Sequence, residues 1–168
     1  EQPRVGLVNI GTEAAKGSTL TKAAYDLLEQ SHLNFTGNVE AREVPKGACD
    51  VIVTDGFTGN VLLKLTEGLA WNILQVIKQR FTDGVKAKLG AALLLDKIKG
   101  LKKEFDYSEY GGAPILGVRG PIVKMHGSSN ANAVKNTILK GIPYVSEHVV
   151  DKIQNSVLEI EEITLSEY

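Results

Sequence analysis

The chain has 168 residues, of which 43% are hydrophobic and 23% charged, and its formal net charge is −1. That is enough for one domain with a real core, or for half of a larger two-lobed one, and so small a net charge argues against nucleic acid as a partner. The single cysteine, Cys49, excludes an internal disulfide and a cysteine-rich zinc site, and no run of ~20 apolar residues is present to span a membrane.

Lone-cysteine usage suits a reducing cytoplasm. The opening Glu1-Gln2-Pro3-Arg4-Val5 is not a signal peptide, lacks Met and enters a strand almost at once, as a fragment or a processed piece would. Arg4–Ile10 is a short apolar run ending at Gly11 and reads as a buried parallel strand. Ser18 or Thr19 caps a helix to about Gln30, with Leu20, Ala23, Ala24, Leu27 and Leu28 on one face. A second strand begins at Asn34–Gly37, with Val39–Val44 extended. Asp50–Asp55 is the clearest strand, a β-branched run bounded by Asp and Gly. Gly56–Asn60 reads as a turn and Val61–Phe81 as a long helix, broken by Asp83-Gly84. A further helix over Val85–Phe105 would complete a helical hairpin. After a loop at Gly111–Pro114 come strands at Ile115–Val118 and Ile122–Met125. A helix follows from Gly127–Asn130 with Ala133, Val134, Ile138 and Leu139 as its stripe and Pro143 as a kink or shift. Val149 onward is open to helix, and the acidic end is ambiguous. Strand–helix alternation makes the chain α/β.

Four stretches carry polar groups at places where chemistry is done. Asp55–Lys64 joins a strand to a helix, the edge at which α/β folds bind ligands. Helix N–H groups favour an anion there, Gly56 and Gly59 permit close backbone approach, Asn60 offers an amide, and Lys64 lies one turn further on the same face. The alternative is an ordinary turn with a solvated lysine. His126-Gly127-Ser128-Ser129-Asn130 also joins strand to helix. It offers an imidazole, two hydroxyls and an amide to a phosphate or an oxyanion, or else caps a helix and packs. Asp106–Pro114, with Tyr107, Ser108 and Tyr110, lines a pocket or is a surface loop. Between residues 86 and 104 six lysines face two acids, with Leu89, Leu93, Leu94, Leu95, Ile98 and Leu101 among them. Such a stretch lies on an anionic membrane or packs on a neighbour or dimer partner. No Gly-x-Ser-x-Gly elbow and no metal-ligand spacing occurs.

Taken together, Pro3–Gly11, Asn34–Glu40, Asp50–Lys64, Asp106–Gly117 and Lys124–Asn136 resemble, in order, the bacterial phosphate acyltransferase family (acyl-acyl carrier protein:phosphate transacylase). The resemblance runs from Pro3 to about Val145 and covers the carboxyl-terminal half of such an enzyme, with the amino-terminal half missing. It implies a two-lobed fold similar to isocitrate and isopropylmalate dehydrogenases, a protruding helical hairpin and a homodimer. The corresponding domain layout is 1–150 as the acyltransferase part, 57–105 within it as long helix and basic hairpin, and 151–168 as an acidic tail. It implies transfer of a fatty acyl group from acyl carrier protein to inorganic phosphate for phospholipid synthesis.

By this resemblance Asp55, Gly56, Gly59, Asn60, Lys64, Gly127, Ser128, Ser129 and Asn130 bind phosphate or substrate, and Lys64, His126 and Asn60 are catalytic. Leu89, Leu93, Leu94, Leu95, Lys97, Ile98 and Lys99 would touch membrane or carrier protein. The dehydrogenases hold metal through carboxylates on a comparable helix. Here Asn60 and Lys64 stand in those places and suit an anion instead, so neither metal nor nicotinamide cofactor is expected. Localisation would be cytoplasmic with peripheral membrane association. The rival readings are a metal-dependent dehydrogenase of the same fold and a non-catalytic dimerisation or membrane-binding fragment.

Overall fold

The computed structural model describes residues 2–104 and 111–166. It is a mixed α/β chain in two compact units, Glu1–Val76 and Ile77–Tyr168.

The first unit is organised by β1 (Val5–Asn9), whose five residues are all buried. An apolar strand buried on both faces belongs in the middle of a parallel sheet, and β1 lies between β2 (Phe35–Glu40) and β3 (Val51–Val53), parallel to both. Between Val5↔Phe35 and Leu7↔Asn38 the β2 side carries one extra residue, and Gly37 sits there at φ 93°, a conformation that costs other residues a Cβ clash. Helix α1 (Thr19–Glu29) is capped by Ser18, whose side chain accepts from the Thr21 N–H. It is tied to β2 by an edge-on ring contact of Tyr25 with Phe35, centroids 5.2 Å apart. Val44, expected to be extended, lies in a 3-10 turn over Ala41–Lys46 that contains Pro45, and this turn carries the chain from β2 across β1 to β3. Gly6 lets the segment before β3 come close: a Cβ there would stand 2.6 Å from Val39 Cγ2 and 2.7 Å from the Cys49 sulfur. At the amino-terminal edge Arg4 clamps β1 to β3. Its guanidinium donates to both Asp50 oxygens at 2.9 and 3.0 Å and to the carbonyls of Ala48 and Gly47. These bonds hold the Asp50 carboxyl down to about 2.

Helix α2 (Gly56–Thr82) begins at Gly56, five residues before the expected Val61. Asp55 is the reason: its Oδ1 accepts from the N–H of Phe57 and of Thr58, both at 2.9 Å, so the two glycines lie inside a capped first turn. The expected second helix of the hairpin is two helices, α3 (Gly84–Leu93) and α4 (Leu95–Glu104). The Leu94 N–H is shared between the Gly90 and Ala91 carbonyls, and the α-helical register ends there. Phe105 and Asp106–Tyr110 of the candidate loop lie outside the described residues.

Beyond these, β4 (Ala113–Ile115) pairs antiparallel with β5 (Ile122–Lys124). The strand expected over Ile115–Val118 thus starts two residues earlier and stops at Ile115, before the turn leading to Pro121. Helix α5 (Ala131–Ser146) buries Ala133 and Thr137. A Cβ on Gly111 would meet the Thr137 nitrogen at 2.8 Å, and one on Gly112 the Lys124 carbonyl oxygen at 2.6 Å, so this Gly-Gly pair fits α5 against the hairpin. Pro143 falls in the last turn of α5 without ending it. His148, at φ 53°, reverses the chain into α6 (Val149–Ser166), so the stretch expected as a tail from residue 151 is helical over its described part.

Candidate functional site

In the first unit the polar groups gather at the carboxyl edge of the parallel sheet. The β3–α2 junction has Asp55 half-buried beneath the first turn of α2. Hydrogen bonds from the Thr58 side chain and N–H, then from Phe57, hold its carboxyl below the usual carboxylate range. The donors expected to meet a phosphate are therefore occupied: Phe57 and Thr58 give their N–H groups to the Asp55 side chain, and Gly59 gives its own to the Asp55 carbonyl. Gly59 has a packing role, since a Cβ would stand 2.8 Å from Thr54 Cγ2. Gly56 has open space on that side, and Asn60 is exposed. Lys64 is 57% exposed in its side chain and donates to Glu67 at 2.7 Å. An anion arriving at this turn meets an amide, an open glycine and a lysine that must leave a surface ion pair, an exchange of little cost.

The same sheet carries a second polar cluster that motif reading missed. Asn9, at the end of β1, and Asn38, in β2, are both buried. The Asn9 amide nitrogen donates to Asn38 Oδ1 at 3.1 Å and to the Lys16 carbonyl at 3.0 Å, and Asn9 Oδ1 accepts from the Ile10 N–H at 2.8 Å. Asn38 in turn donates to the Glu13 carbonyl at 2.9 Å. Gly17 packs on this pair at φ 98°, where a Cβ would stand 2.5 Å from Asn9 Oδ1. An asparagine closing an apolar strand was the available signal; its partner lies 29 residues away.

In the second unit the β5–α5 turn is internally bonded. His126 Nδ1 lies 2.6 Å from Ser128 Oγ and accepts from the Ser128 N–H at 3.2 Å, and the Ser129 N–H donates to the His126 carbonyl at 3.0 Å. A backbone N–H aimed at Nδ1 makes that atom the acceptor, so the neutral ring carries its proton on Nε2. Asn130 caps α5, accepting from the Ala133 N–H at 2.9 Å. Gly127 is open. Asp55–Lys64 and His126–Asn130 are thus each built as one turn, in different units.

On α3, Val85, Leu89 and Leu93 follow at intervals of four and are 75%, 65% and 88% exposed. Leu94 and Leu95 are each about half exposed, Lys97 is exposed and Ile98 half-buried. Among the described residues no helix is long and apolar enough to cross a membrane, and no three His, Cys, Asp or Glu side chains group to hold a metal ion.

Residues 1–152 match the family described as "Fatty acid synthesis protein". The chain belongs to that family. Within it, the chain is similar to the phosphate acyltransferase of Brevibacillus brevis, 54% identical over 156 residues that make 93% of this chain and 47% of the relative. It is 50% identical over 157 residues to the phosphate acyltransferase of Alkaliphilus oremlandii, covering 94% and 47% of the two chains. To that of Clostridium acetobutylicum it is 48% identical over 160 residues, covering 95% and 48%. The chain spans about half the length of the curated relatives it matches.

Proposed function

We propose that this chain is the carboxyl-terminal half of a phosphate acyltransferase that transfers a fatty acyl group from acyl carrier protein to inorganic phosphate. The observation that carries the reading is the 54% identity to the Brevibacillus brevis phosphate acyltransferase along 93% of this chain. In the reaction a phosphate oxygen attacks the thioester carbonyl, a tetrahedral oxyanion forms and collapses, and the carrier thiolate leaves and takes up a proton. The protein's task is to orient an anionic nucleophile and to stabilise the oxyanion. Gly56, Asn60 and Lys64 receive the phosphate, with Lys64 turning from Glu67 toward it, while Asp55 and the packed Gly59, whose N–H is engaged, hold the turn's shape. Gly127, Ser128, Ser129 and Asn130 contact phosphate or the carrier's pantetheine. His126, with its proton on Nε2, donates to the oxyanion or the departing thiolate.

The finer architecture follows the same reading. Residues 1–150 contribute to a two-lobed fold of the isocitrate dehydrogenase kind, with 57–105 as long helix and basic hairpin and 151–168 as an acidic end. The apolar side chains of α2 surround the helix, and Leu65, Leu69 and Trp71 are all more than half exposed in this chain alone. A helix apolar all round is a buried one. The other half of the relatives' length, together with a second copy in a homodimer, supplies the cover. The Leu89–Leu95 region and its lysines, Lys97 and Lys99 among them, place a cytoplasmic enzyme at the membrane surface, where its amphiphilic product is used. A dehydrogenase of the same fold is disfavoured by the relatives' names and by an amide and an ammonium at Asn60 and Lys64. Trapping with hydroxylamine tests the proposal. The complete polypeptide, given acyl carrier protein thioester and phosphate, yields acyl hydroxamate faster than the background that hydroxylamine draws directly from the thioester when phosphate is left out. Equal yield without phosphate overturns it.

A further inference from the structure

We infer that the cavity between α5, α6 and the turn joining β4 to β5 binds a free long-chain fatty acid, with the carboxylate on Arg119 and the chain along α6; this site is independent of the acyltransfer reading above.

The cavity lies wholly in the second unit and has a volume of about 410 Å3. Small-molecule sites occupy roughly 300–1,000 Å3. Its apolar wall is one face of α6, on which Val150, Ile153, Val157 and Leu158 fall at helical spacing. Val157 and Leu158 are each 49% exposed, so the wall is open to a ligand along its length. Gly117, at φ 73°, turns the chain out of β4, and Arg119 comes to line the same cavity.

Three polar side chains also line it: Arg119, Tyr144 and Gln154. Among the described residues no hydrogen bond or ion pair engages any of the three, whereas Arg4 and Arg42 are paired with Asp50 and Glu40. An apolar wall with a few polar groups beside it is the composition of a ligand site. A guanidinium carries donors alone and presents them as a fork that matches a carboxylate. Arg119 is the one charged residue lining the cavity, so it balances a single negative charge. A carboxylate carries that charge, whereas a phosphate monoester carries about −1.5 to −2. The Tyr144 hydroxyl and the Gln154 amide supply further neutral donors. Asn130 caps the start of α5 and Tyr144 stands in its last turn, about 21 Å further along at 1.5 Å per residue. The carboxylate is thus held at the opposite end of α5 from the His126–Asn130 turn.

Calorimetric titration of the complete polypeptide with myristate, below its micellar range, tests this. The unaltered protein takes up one equivalent saturably. Arg119→Met keeps an unbranched apolar stem and loses the charge, and it weakens binding about tenfold or more, as loss of a hydrogen bond between charged groups does. Tetradecanol, with the same chain length and no charge, binds the unaltered protein about as weakly. Val157→Trp fills the cavity from a half-exposed position, so myristate binding is lost while the thermal midpoint is kept. KM for the acyl carrier thioester is unchanged in Arg119→Met. A complete polypeptide without saturable uptake, its cavity closed by the rest of the chain, overturns the inference, and so does an affinity unaltered in both variants. A thioester KM that rises in step with the loss of myristate affinity also overturns it, because the cavity would then hold the transferred chain instead of a free acid.

Discussion

Replacing Asn38 with alanine tests the internal wiring of the sheet's carboxyl edge. The substitution removes two hydrogen bonds, the one received from Asn9 at 3.1 Å and the one given to the Glu13 carbonyl at 2.9 Å. Each is worth about 1 kcal/mol net, and a stranded buried polar group adds about 1–3 kcal/mol. Asn9 keeps the Lys16 carbonyl and the Glu13 carbonyl keeps the Lys16 N–H, so neither partner is stranded and only the two bonds are lost. The sum is a destabilisation of about 2 kcal/mol. In urea, with a slope of about 2 kcal/mol per M, the midpoint of the first unit's transition drops by about 1 M at unchanged slope. Asn38→Asp sharpens the test. It keeps an acceptor for Asn9 but turns a carboxylate toward the Glu13 carbonyl, so at neutral pH it destabilises at least as much. Burial and that carbonyl raise the new carboxyl's pKa, and protonation supplies an O–H donor, so part of the loss returns as pH falls. A destabilisation below about 0.5 kcal/mol in Asn38→Ala would show that the amide pair does not hold the loop.

Three further outcomes are expected. Lys64→Ala in the complete enzyme lowers kcat/KM for phosphate about tenfold or more, as removal of a charge-assisted bond does, and an unchanged value removes Lys64 from the site. Leu93→Glu, at the most exposed leucine of α3, forfeits about 2 kcal/mol of apolar transfer and sets a negative charge against anionic lipid. Sedimentation with anionic vesicles therefore falls severalfold, and binding equal to the unaltered protein refutes the membrane contact. The Arg4–Asp50 clamp acts on acid stability. Asp50 is depressed to about 2 in the folded chain from its ordinary 3.8, so its contribution is complete above the ordinary value and fades as pH drops from there toward 2. Asp50→Asn should flatten the acid limb of a stability profile over that window, and a limb of unaltered steepness contradicts the assignment.

What was legible in the sequence is what local pattern encodes. The apolar run at Val5–Asn9, the β-branched run at Val51–Val53 and the helix starts at Ser18 or Thr19 and at Ser129 or Asn130 announce themselves within a few residues, and the structure puts the caps at Ser18 and Asn130. The first turn of α2 was misread because two glycines in Gly56–Asn60 look like a turn. The helix starts there because Asp55 caps it, and its backbone donors are consequently spoken for. No Gly or Pro marks the break at Leu94, where a single N–H is shared between two carbonyls. The Asn9–Asn38 pair is a tertiary contact between two strands, and neither residue has a periodic or turn signature that would expose it. Thr58 escaped notice for the same reason as the cap it supports. The two turns singled out as anion sites are where strand–helix alternation puts them, at strand-to-helix junctions. Which of their groups are already engaged with one another depends on side-chain geometry that spacing does not carry.

The central claim is acyl transfer to phosphate, and it is tested most directly by following both products in one tube. The complete polypeptide, acyl carrier thioester and inorganic phosphate are incubated while free carrier thiol and the phosphorus resonance of an acyl phosphate are measured together. The account predicts that thiol appears only when phosphate is supplied and that acyl phosphate forms in equal amount. Thiol release that proceeds without phosphate, or phosphate that stays wholly inorganic while thiol is released, would contradict it.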